Sequence, residues 1–254
     1  MATPGQSAQI IFGERAAFYT TSESHTDPQV LGRLVELSRP EPNWKVLDVA
    51  TGTGHTALAL APHVAWVTGT DITPEMLAEG TSLRNSRGVT NVVYTIADVH
   101  DLPFPDGSFD LVTCRRAAHH FRAIDRAIAE MGRVLRPEGR LVIDDRSVPE
   151  DDFVDSCMNL LDFYHDESHV RQYRPSEWTA MLGDAGFAVE VMETYTRHRP
   201  LASLTAGVSA ATVEKIEALL AGLTPEQHAA LSLTGAGEER WINHWYVMIA
   251  ACKS

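Results

Sequence analysis

Short apolar runs alternate with amphipathic stretches between residues 45 and 145. The apolar runs have strand length and cover residues 45–50, 64–71, 91–98, 109–114 and 139–145. Helical patterns separate them at 56–61, 74–87 and 123–135. This alternation predicts parallel strands joined by crossover helices, and hence an open, doubly wound α/β sheet. Ligands of such sheets bind at the carboxyl ends of the strands.

The pattern changes after residue 145. Helical patterns then cover residues 149–164, 175–185, 210–220 and 225–232, and two further strand-like runs cover 187–196 and 244–252. Because these two runs are not part of a repeating strand-helix-strand series, they predict an antiparallel edge on the parallel sheet. A chain of 254 residues with 44% hydrophobic composition suits one large domain, which is what we expect.

Composition and charge limit the classes of partner and the compartment that we expect for the protein. The net charge is −13 and the basic residues are scattered, so we expect no nucleic acid to bind. No apolar run is long enough to span a bilayer, and no signal-like segment opens the chain, so we expect no membrane association. Three widely spaced cysteines, Cys114, Cys157 and Cys252, indicate reduced thiols and a cytoplasmic protein. The oligomeric state stays open, with a homodimer as one option.

The first candidate site lies in VLDVATGTGHTALAL, residues 46–60. Gly52, Gly54 and Ala57 fit the spacing G-x-G-x-x-A, which serves dinucleotides, although a tight turn without a ligand has the same spacing. Asp48 distinguishes a pyrophosphate ligand from a cationic one. Its carboxylate would repel a nearby pyrophosphate, at a cost on the order of 1–4 kcal/mol. A sulfonium with an α-ammonium group would be attracted instead. The loop therefore favours S-adenosylmethionine (SAM), unless the carboxylate only braces the loop.

Two more acids stand at strand tips. Asp71 ends the second strand, where an acidic side chain can accept both hydroxyls of a ribose. Thr73 and Pro74 already provide a helix cap, so we expect Asp71 to be free for a ligand. Asp98 and the backbone of Val99 end the third strand, where they can bind the amine and a ring nitrogen of adenine. Three strands thus present three acids in one row.

Four ordered motifs carry a family resemblance: VLDVATGTGHTAL, GTDITPEML, ADVHDLPFPDGSFDLVTCRRAAHHF and EMGRVLRPEGRLVIDD. Together they resemble class I SAM-dependent methyltransferases, most closely the type 11 group that includes the ubiquinone/menaquinone C-methyltransferases. The resemblance is strong over residues 44–145, and DESHVRQYRPSEWTAMLGDAGF resembles a downstream region of some small-molecule members. It implies a Rossmann-like sheet of seven strands, mostly parallel with the last strand antiparallel, plus helical lid additions. The motifs are specific for the cofactor and not for the acceptor.

The resemblance also assigns regions and residues. It implies an N-terminal lid (1–43), a cofactor-binding core (44–145) and a section of substrate-side helices and edge strands (146–254). Arg115 would lie near the carboxylate of the cofactor or its cleft face. The full set of expected cofactor-binding residues is Asp48, Ala50, Thr51, Gly52, Gly54, Asp71, Ile72, Met76, Asp98, Val99 and Arg115.

Methyl transfer is an in-line displacement, and correct placement of the two reactants can lower its activation barrier by up to about 7–11 kcal/mol. A phenol, an ammonium or a carbon acid must also lose a proton, which calls for a base near neutrality. His119 and His120 follow the fourth strand and are the best candidates, with a packing role as the alternative. Since adjacent helical residues diverge, we expect only one of them to face the cleft. Tyr19 and His25 are further candidates from the lid.

The acceptor is the least determined feature. Small-ligand sites are mainly apolar, and the variable sections are rich in aromatic residues, so we expect a small aromatic or heterocyclic metabolite. The aromatic residues in question are Phe12, Phe18, Tyr19, Phe163, Tyr164, Tyr173, Trp178, Trp241, Trp245 and Tyr246.

Other site classes are weaker. We expect no metal site, although His165 and His169 could hold a cation from one helix face. A non-catalytic SAM-binding module and a SAM fold used for a non-methylating reaction stay open as alternatives. A nucleotide-dependent oxidoreductase is disfavoured by Asp48.

Overall fold

A seven-stranded sheet forms the centre of the computed structural model, which describes residues 4–237 and 239–254. Residues 1–3 and 238 of the predicted 1–254 domain lie outside the described residues. The strands are β1 (Lys45–Val49), β2 (Trp66–Asp71), β3 (Val92–Ile96), β4 (Phe109–Arg115), β5 (Leu135–Ser147), β6 (Phe187–Pro200) and β7 (Trp241–Lys253).

The strands lie in the order β3-β2-β1-β4-β5-β7-β6. β1 to β5 run parallel to one another, and β7 runs antiparallel to both β5 and β6. The predicted doubly wound α/β sheet, mostly parallel with an antiparallel last strand, is confirmed. The carboxyl ends of β1, β2 and β4 consequently share one edge.

Helices connect and cover the strands. They are α1 (Pro4–Thr21), α2 (Glu23–Thr26), α3 (Pro28–Ser38), α4 (His55–Leu60), α5 (Pro74–Ser86), α6 (Ile124–Val134), α7 (Asp152–His165), α8 (Pro175–Asp184), α9 (Ala202–Thr205), α10 (Ala210–Ala221) and α11 (Pro225–Ala230). Single 3-10 turns add Ala61–His63 and Ala118–His120. In the described part of the chain, no helix has the length and apolarity needed to cross a bilayer.

Two helical layers bury the two faces of the sheet. On one face, Leu34 of α3 and Leu58 of α4 pack with Val46 of β1. On the other, Met131 of α6 and Trp178 of α8 pack over the same strands. Because both faces are covered, the central strands consist of nearly continuous apolar residues, which explains why their positions could be predicted.

β6 and β7 continue past the rest of the sheet. The last pair between β5 and β7 joins Ser147 to Trp245, whereas β6 and β7 stay paired as far as Pro200 and Trp241. The predicted strands 187–196 and 244–252 were therefore too short at this end. The two-stranded extension reaches beyond the carboxyl edge of β5, where α7, α9 and α10 form a third apolar cluster with Ile242.

The N-terminal segment divides at Asp27. Before it, α1 lies along α5, and the Nε2 of Gln9 donates to the carbonyl oxygen of Ile72 at 3.0 Å. Asp27 itself caps α3 by accepting from the backbone N–H of Gln29 at 2.9 Å. α3 belongs to the core, since its Leu34 is fully buried. Of the segment expected as a lid, only α1 and α2 lie over the strand ends.

Candidate cofactor and acceptor site

The carboxyl ends of β1, β2 and β4 open into a cavity of about 630 Å³, with α1 and α2 along one side. All the cofactor-binding and catalytic residues expected from sequence line this cavity, except Gly54. Those present are Tyr19, His25, Asp48, Ala50, Thr51, Gly52, Asp71, Ile72, Met76, Asp98, Val99, Arg115, His119 and His120.

Asp48 is a buried carboxylate with hydroxyl partners. Its Oδ2 accepts from the hydroxyl of Thr51 at 2.5 Å and its Oδ1 from that of Thr113 at 2.7 Å, and only 1% of the residue is exposed. Among the described residues it has no ion pair. Burial raises the pKa of Asp48 to about 6. The side chain braces the loop and also leaves a negative charge that a cation would stabilise.

The glycine loop turns through left-handed backbone at Ala50 (φ 49°), Gly52 (φ 54°) and Gly54 (φ 83°). Ala50 is strained there because it carries a Cβ. Gly54 does not line the cavity, contrary to expectation. A Cβ at Gly54 would lie 2.0 Å from the hydroxyl oxygen of Tyr94, so the glycine is required for packing behind the loop.

Asp71 holds two backbone N–H groups. Its Oδ2 accepts from Gly52 and its Oδ1 from Thr73, both at 2.9 Å. The expectation that Thr73 would cap α5 with its hydroxyl and leave Asp71 free is wrong, since the Thr73 side chain makes no cap hydrogen bond. Burial raises the pKa of Asp71. The carboxylate thus fixes the loop and lines the cavity, next to Ile72 and the buried Met76.

Asp98 lies just beyond β3, in an ionic cluster. Its Oδ1 lies 2.5 Å from the Nδ1 of His100, and its Oδ2 accepts from the guanidinium of Arg122 at 2.8 Å. Although burial opposes the shift, the hydrogen bonds from His100 and Arg122 lower the pKa of Asp98 to about 2. Its carboxylate is therefore held ionised and fixed beside Val99, which also lines the cavity.

Arg115, the last residue of β4, connects α2 to the sheet. Its Nε donates to the hydroxyl of Thr56 at 2.9 Å and its Nη2 to the carbonyl oxygen of His25 at 2.7 Å. The Nη1 is buried and has no partner in the described part of the chain. An unpaired buried donor is costly, so this atom fits an anionic ligand group in the cavity.

His119 and His120 both line the cavity, so the expectation that only one would do so is wrong. They lie on a single 3-10 turn rather than an α-helix, and their ring centroids are 4.1 Å apart. The Nδ1 of His119 lies 2.5 Å from Oδ1 of Asp145, whose Oδ2 accepts from the His119 backbone N–H at 3.0 Å. With Nδ1 donating, Nε2 keeps a lone pair.

The ionisation of this pair follows from burial. Burial lowers the pKa of His119 well below its ordinary value and raises the pKa of Asp145 to about 6. The imidazole is therefore neutral at neutral pH and able to accept a proton. His120 has a different partner, with its Nδ1 3.0 Å from the hydroxyl of Ser168.

Tyr19 lies on α1 and His25 on α2. Their rings meet edge to face with centroids 4.8 Å apart, and the Nδ1 of His25 lies 3.1 Å from the hydroxyl oxygens of Ser22 and Ser24. Burial, followed by the charge of Arg115, lowers the pKa of His25 well below its ordinary value. Burial raises the pKa of Tyr19.

The alternative cation site does not form. α7 ends at His165, and His169 lies in the turn beyond, with its Nε2 2.9 Å from Oδ1 of Asn159. Within residues 4–237 and 239–254, no group of three or more His, Cys, Asp or Glu side chains is arranged to hold a metal ion.

The sequence did not identify the end of the cavity opposite the acid row. Arg116, Arg146, Arg199, His244 and Tyr246 line it, from the ends of β4, β5, β6 and β7. Arg116 has left-handed backbone (φ 57°), a strained conformation for a residue with a side chain. The available signals were weak: Arg116 adjoins Arg115, and Arg146 follows the apolar run of the fifth strand.

Comparison with known proteins identifies the family. A methyltransferase domain model matches residues 47–143. The uncharacterized methyltransferase YcgJ of Bacillus subtilis is 39% identical over 171 residues, which cover 67% of this chain and 68% of YcgJ. The chain belongs to the class I SAM-dependent methyltransferases. The family predicted from the motifs is thereby confirmed.

Solved structures agree with this methyltransferase assignment. The crystal structure of YcgJ superposes with a TM-score of 0.82 at 33% identity, covering 88% of this chain and 97% of YcgJ. The Bacillus halodurans C-125 protein BH2331 gives 0.84 at 30% identity, covering 88% and 98%. The demethylmenaquinone methyltransferase of Thermus thermophilus is 42% identical over 113 residues, and the chain spans about half of its length.

The cofactor of the methyltransferase is SAM. The residues present fit that group on two counts. Asp48 offers a buried negative charge without an ion pair, and Arg115 offers a buried donor without a partner in the described chain. Opposite charges of this kind suit a ligand that carries a cation and a carboxylate.

Proposed function

We propose that this methyltransferase methylates a small-molecule acceptor and that His119 removes the proton of the acceptor. The observation that carries the proposal is the His119–Asp145 pair, which lies in the same cavity as the acid row of Asp48, Asp71 and Asp98. SAM supplies the methyl group as a sulfonium, and the residues of the chain orient the acceptor and accept its proton.

The pair has the arrangement expected of a general base. Asp145 fixes the His119 ring through both the Nδ1 and the backbone N–H, and so sets the tautomer with a free Nε2. Since the pKa of His119 is well below its ordinary value, the base form dominates at neutral pH. The carboxylate also stabilises the imidazolium that forms when the proton is taken up.

A small, planar acceptor is supported by the size and lining of the cavity. Its volume of about 630 Å³ lies within the roughly 300–1,000 Å³ of small-ligand sites. Phe12, Phe18, Tyr19 and Tyr246 line it, and the rings of Phe12 and Tyr19 meet edge to face at 5.7 Å. The net charge of −13 argues against nucleic acid as the acceptor.

Incubation with isotopically labelled SAM and a metabolite extract tests the function. We expect one or more extract components to gain the label and the mass of one methylene unit, and His119→Ala to form the same product more slowly. If the protein binds SAM and labels nothing, it is a SAM-binding module or catalyses a non-methylating reaction, and the proposal fails.

A further inference from the structure

The cavity is electrically polarised. The acid row of Asp48, Asp71 and Asp98 lies at one end, and three arginines that sequence motifs did not identify lie at the other. The protein as a whole carries a net charge of −13. A cluster of cationic side chains in a buried cavity of an acidic protein calls for a partner of opposite charge.

Arg116 already has partners for its Nε and Nη2. Its Nε donates to Oδ2 of the buried Asp144 at 2.9 Å, and its Nη2 donates to the hydroxyl of Tyr195 at 2.8 Å. Its guanidinium carbon lies 3.9 Å from the ring centroid of Tyr246. Arg116 therefore contributes positive charge and structural contacts at this end of the cavity, and unpaired buried polar atoms lie on Arg146 and His244.

Donors without partners lie beside Arg116. Arg146 donates from Nη2 to Asp162 at 2.6 Å, but its buried Nε has no partner among the described residues. His244 is 2% exposed, and neither of its ring nitrogens is hydrogen-bonded within the described chain. The side chain of Arg199 is half-buried, lines the cavity and has no hydrogen bond or ion pair to any described residue. An unpaired buried polar atom is destabilising, and a ligand atom that forms a hydrogen bond with it would remove that cost.

The acids at this end already have donors. Asp162 accepts from Arg146 and from the side-chain amide of Gln172. Asp166 accepts from the Ser168 hydroxyl at 2.6 Å and from its backbone N–H at 2.8 Å. Neither acid forms an ion pair with Arg199.

The pKa of Tyr246 reflects the positive charge of the neighbouring arginines. Burial by itself raises the pKa of a tyrosine, but Arg146 and Arg116 outweigh burial and leave the pKa of Tyr246 below its ordinary value. A negative charge is thus stabilised at the position of this side chain. The same field acts on any anion placed beside it.

We propose that the acceptor carries an anionic oxygen group, a carboxylate or a phosphate, bound by Arg146, Arg199 and His244. The inference rests on the proposed methyl transfer, because it names the chemical class of the acceptor. Arg199 and His244 come from the two-stranded extension of β6 and β7, and Arg146 from the end of β5. The anion would anchor one end of the acceptor, and its remaining part would extend toward His119.

Calorimetry with three probe molecules tests the charge preference. Benzoate, phenyl phosphate and benzyl alcohol share a ring and differ in charge, and each is titrated into the full chain saturated with S-adenosylhomocysteine. We expect benzoate or phenyl phosphate to bind at least about tenfold more tightly than benzyl alcohol, because hydrogen bonds to a charged oxygen are stronger than those to a neutral hydroxyl. The tighter of the two anions identifies the group as carboxylate or phosphate.

Variants locate the site. Arg199→Gln is expected to remove most of the anion preference, and Arg199→Lys to restore part of it. Arg126→Gln is the matched control, because Arg126 is exposed on α6 and lies outside the cavity. All three variants should bind S-adenosylhomocysteine like the wild type, which shows that they are folded.

Two results overturn the inference: equal binding of the charged and neutral probes by the wild type, or equal loss of anion affinity in Arg199→Gln and Arg126→Gln. Either result leaves the methyl transfer standing if the extract experiment yields a labelled product. Anion binding without any labelled product would instead contradict the proposed function and leave the anion site standing.

Discussion

Replacing Asp48 with asparagine is expected to stabilise the protein without ligand and to weaken its binding of SAM. Burial raises the pKa of Asp48 from 3.8 to about 6. A raised pKa means that this carboxyl contributes stability below its unfolded-state pKa and loses it as the pH rises through about 6. At neutral pH the shift corresponds to roughly 3 kcal/mol of destabilisation, because each pKa unit is worth about 1.4 kcal/mol.

Asp48→Asn removes that charge and keeps the size of the side chain. The hydroxyls of Thr51 and Thr113 can still donate to its amide oxygen or turn to accept from its nitrogen. We therefore expect the free energy of unfolding at neutral pH to rise by up to about 3 kcal/mol. In a chain of this size each kcal/mol raises Tm by about 2–4 °C.

The same substitution should weaken SAM binding. A unit positive charge about 5 Å from the carboxylate gains about 3 kcal/mol at an effective dielectric constant of about 20. Loss of that attraction corresponds to roughly a hundredfold lower affinity. Protonation has the same effect, so wild-type affinity for SAM should fall as the pH drops through about 6.

Thermal unfolding with and without SAM, together with calorimetric titration, measures both effects. The control is Asp184→Asn, which removes an exposed carboxylate outside the cavity and should change neither quantity. An Asp48→Asn variant that binds SAM as tightly as the wild type would refute the electrostatic reasoning. A variant that binds weakly and is also less stable would show that Asp48 mainly braces the loop.

The loop and the proposed base give further predictions. Gly54→Ala should lower the free energy of unfolding by roughly 2–5 kcal/mol in denaturant titrations, because the new Cβ adds left-handed strain and a close contact with Tyr94. Gly88→Ala adds the left-handed strain alone and should lower it by only about 1–2 kcal/mol. Equal losses in the two variants would show that the contact with Tyr94 does not matter. His119→Ala should slow single-turnover methyl transfer at saturating SAM by about 10²–10⁴-fold if the acceptor loses a proton, and an unchanged rate would exclude His119 as the base. The wild-type rate should fall as the pH drops through about 6, where Asp145 takes up a proton and no longer stabilises the imidazolium of His119 by its charge. A rate that stays constant to pH 5 would contradict this role.

The parts of the fold that were predicted are those whose burial leaves a periodic signal. β1, β2, β4 and β5 are covered on both faces, and their apolar runs marked them in the sequence. The ends of β6 and β7 project past the sheet, so residues such as Arg197 and Asn243 break the apolar run although they are paired. α1 was not predicted as a helix because no apolar stripe distinguishes its sequence.

The site was predictable where topology brings strand ends together. Asp48, Asp71 and Asp98 lie at or just beyond the carboxyl ends of three parallel strands, so their proximity follows from the order of the sheet. Arg199 and His244 are brought near Arg146 only by antiparallel pairing across long stretches of sequence. No local spacing records that proximity.

Calorimetric titration of the purified protein with SAM and with NADH is the most direct test of the claim that the acid row holds a positively charged sulfur nucleoside. We expect saturable binding of SAM, with NADH producing no heat of binding. If the protein binds neither SAM nor S-adenosylhomocysteine, or prefers NADH, the account of the site is contradicted.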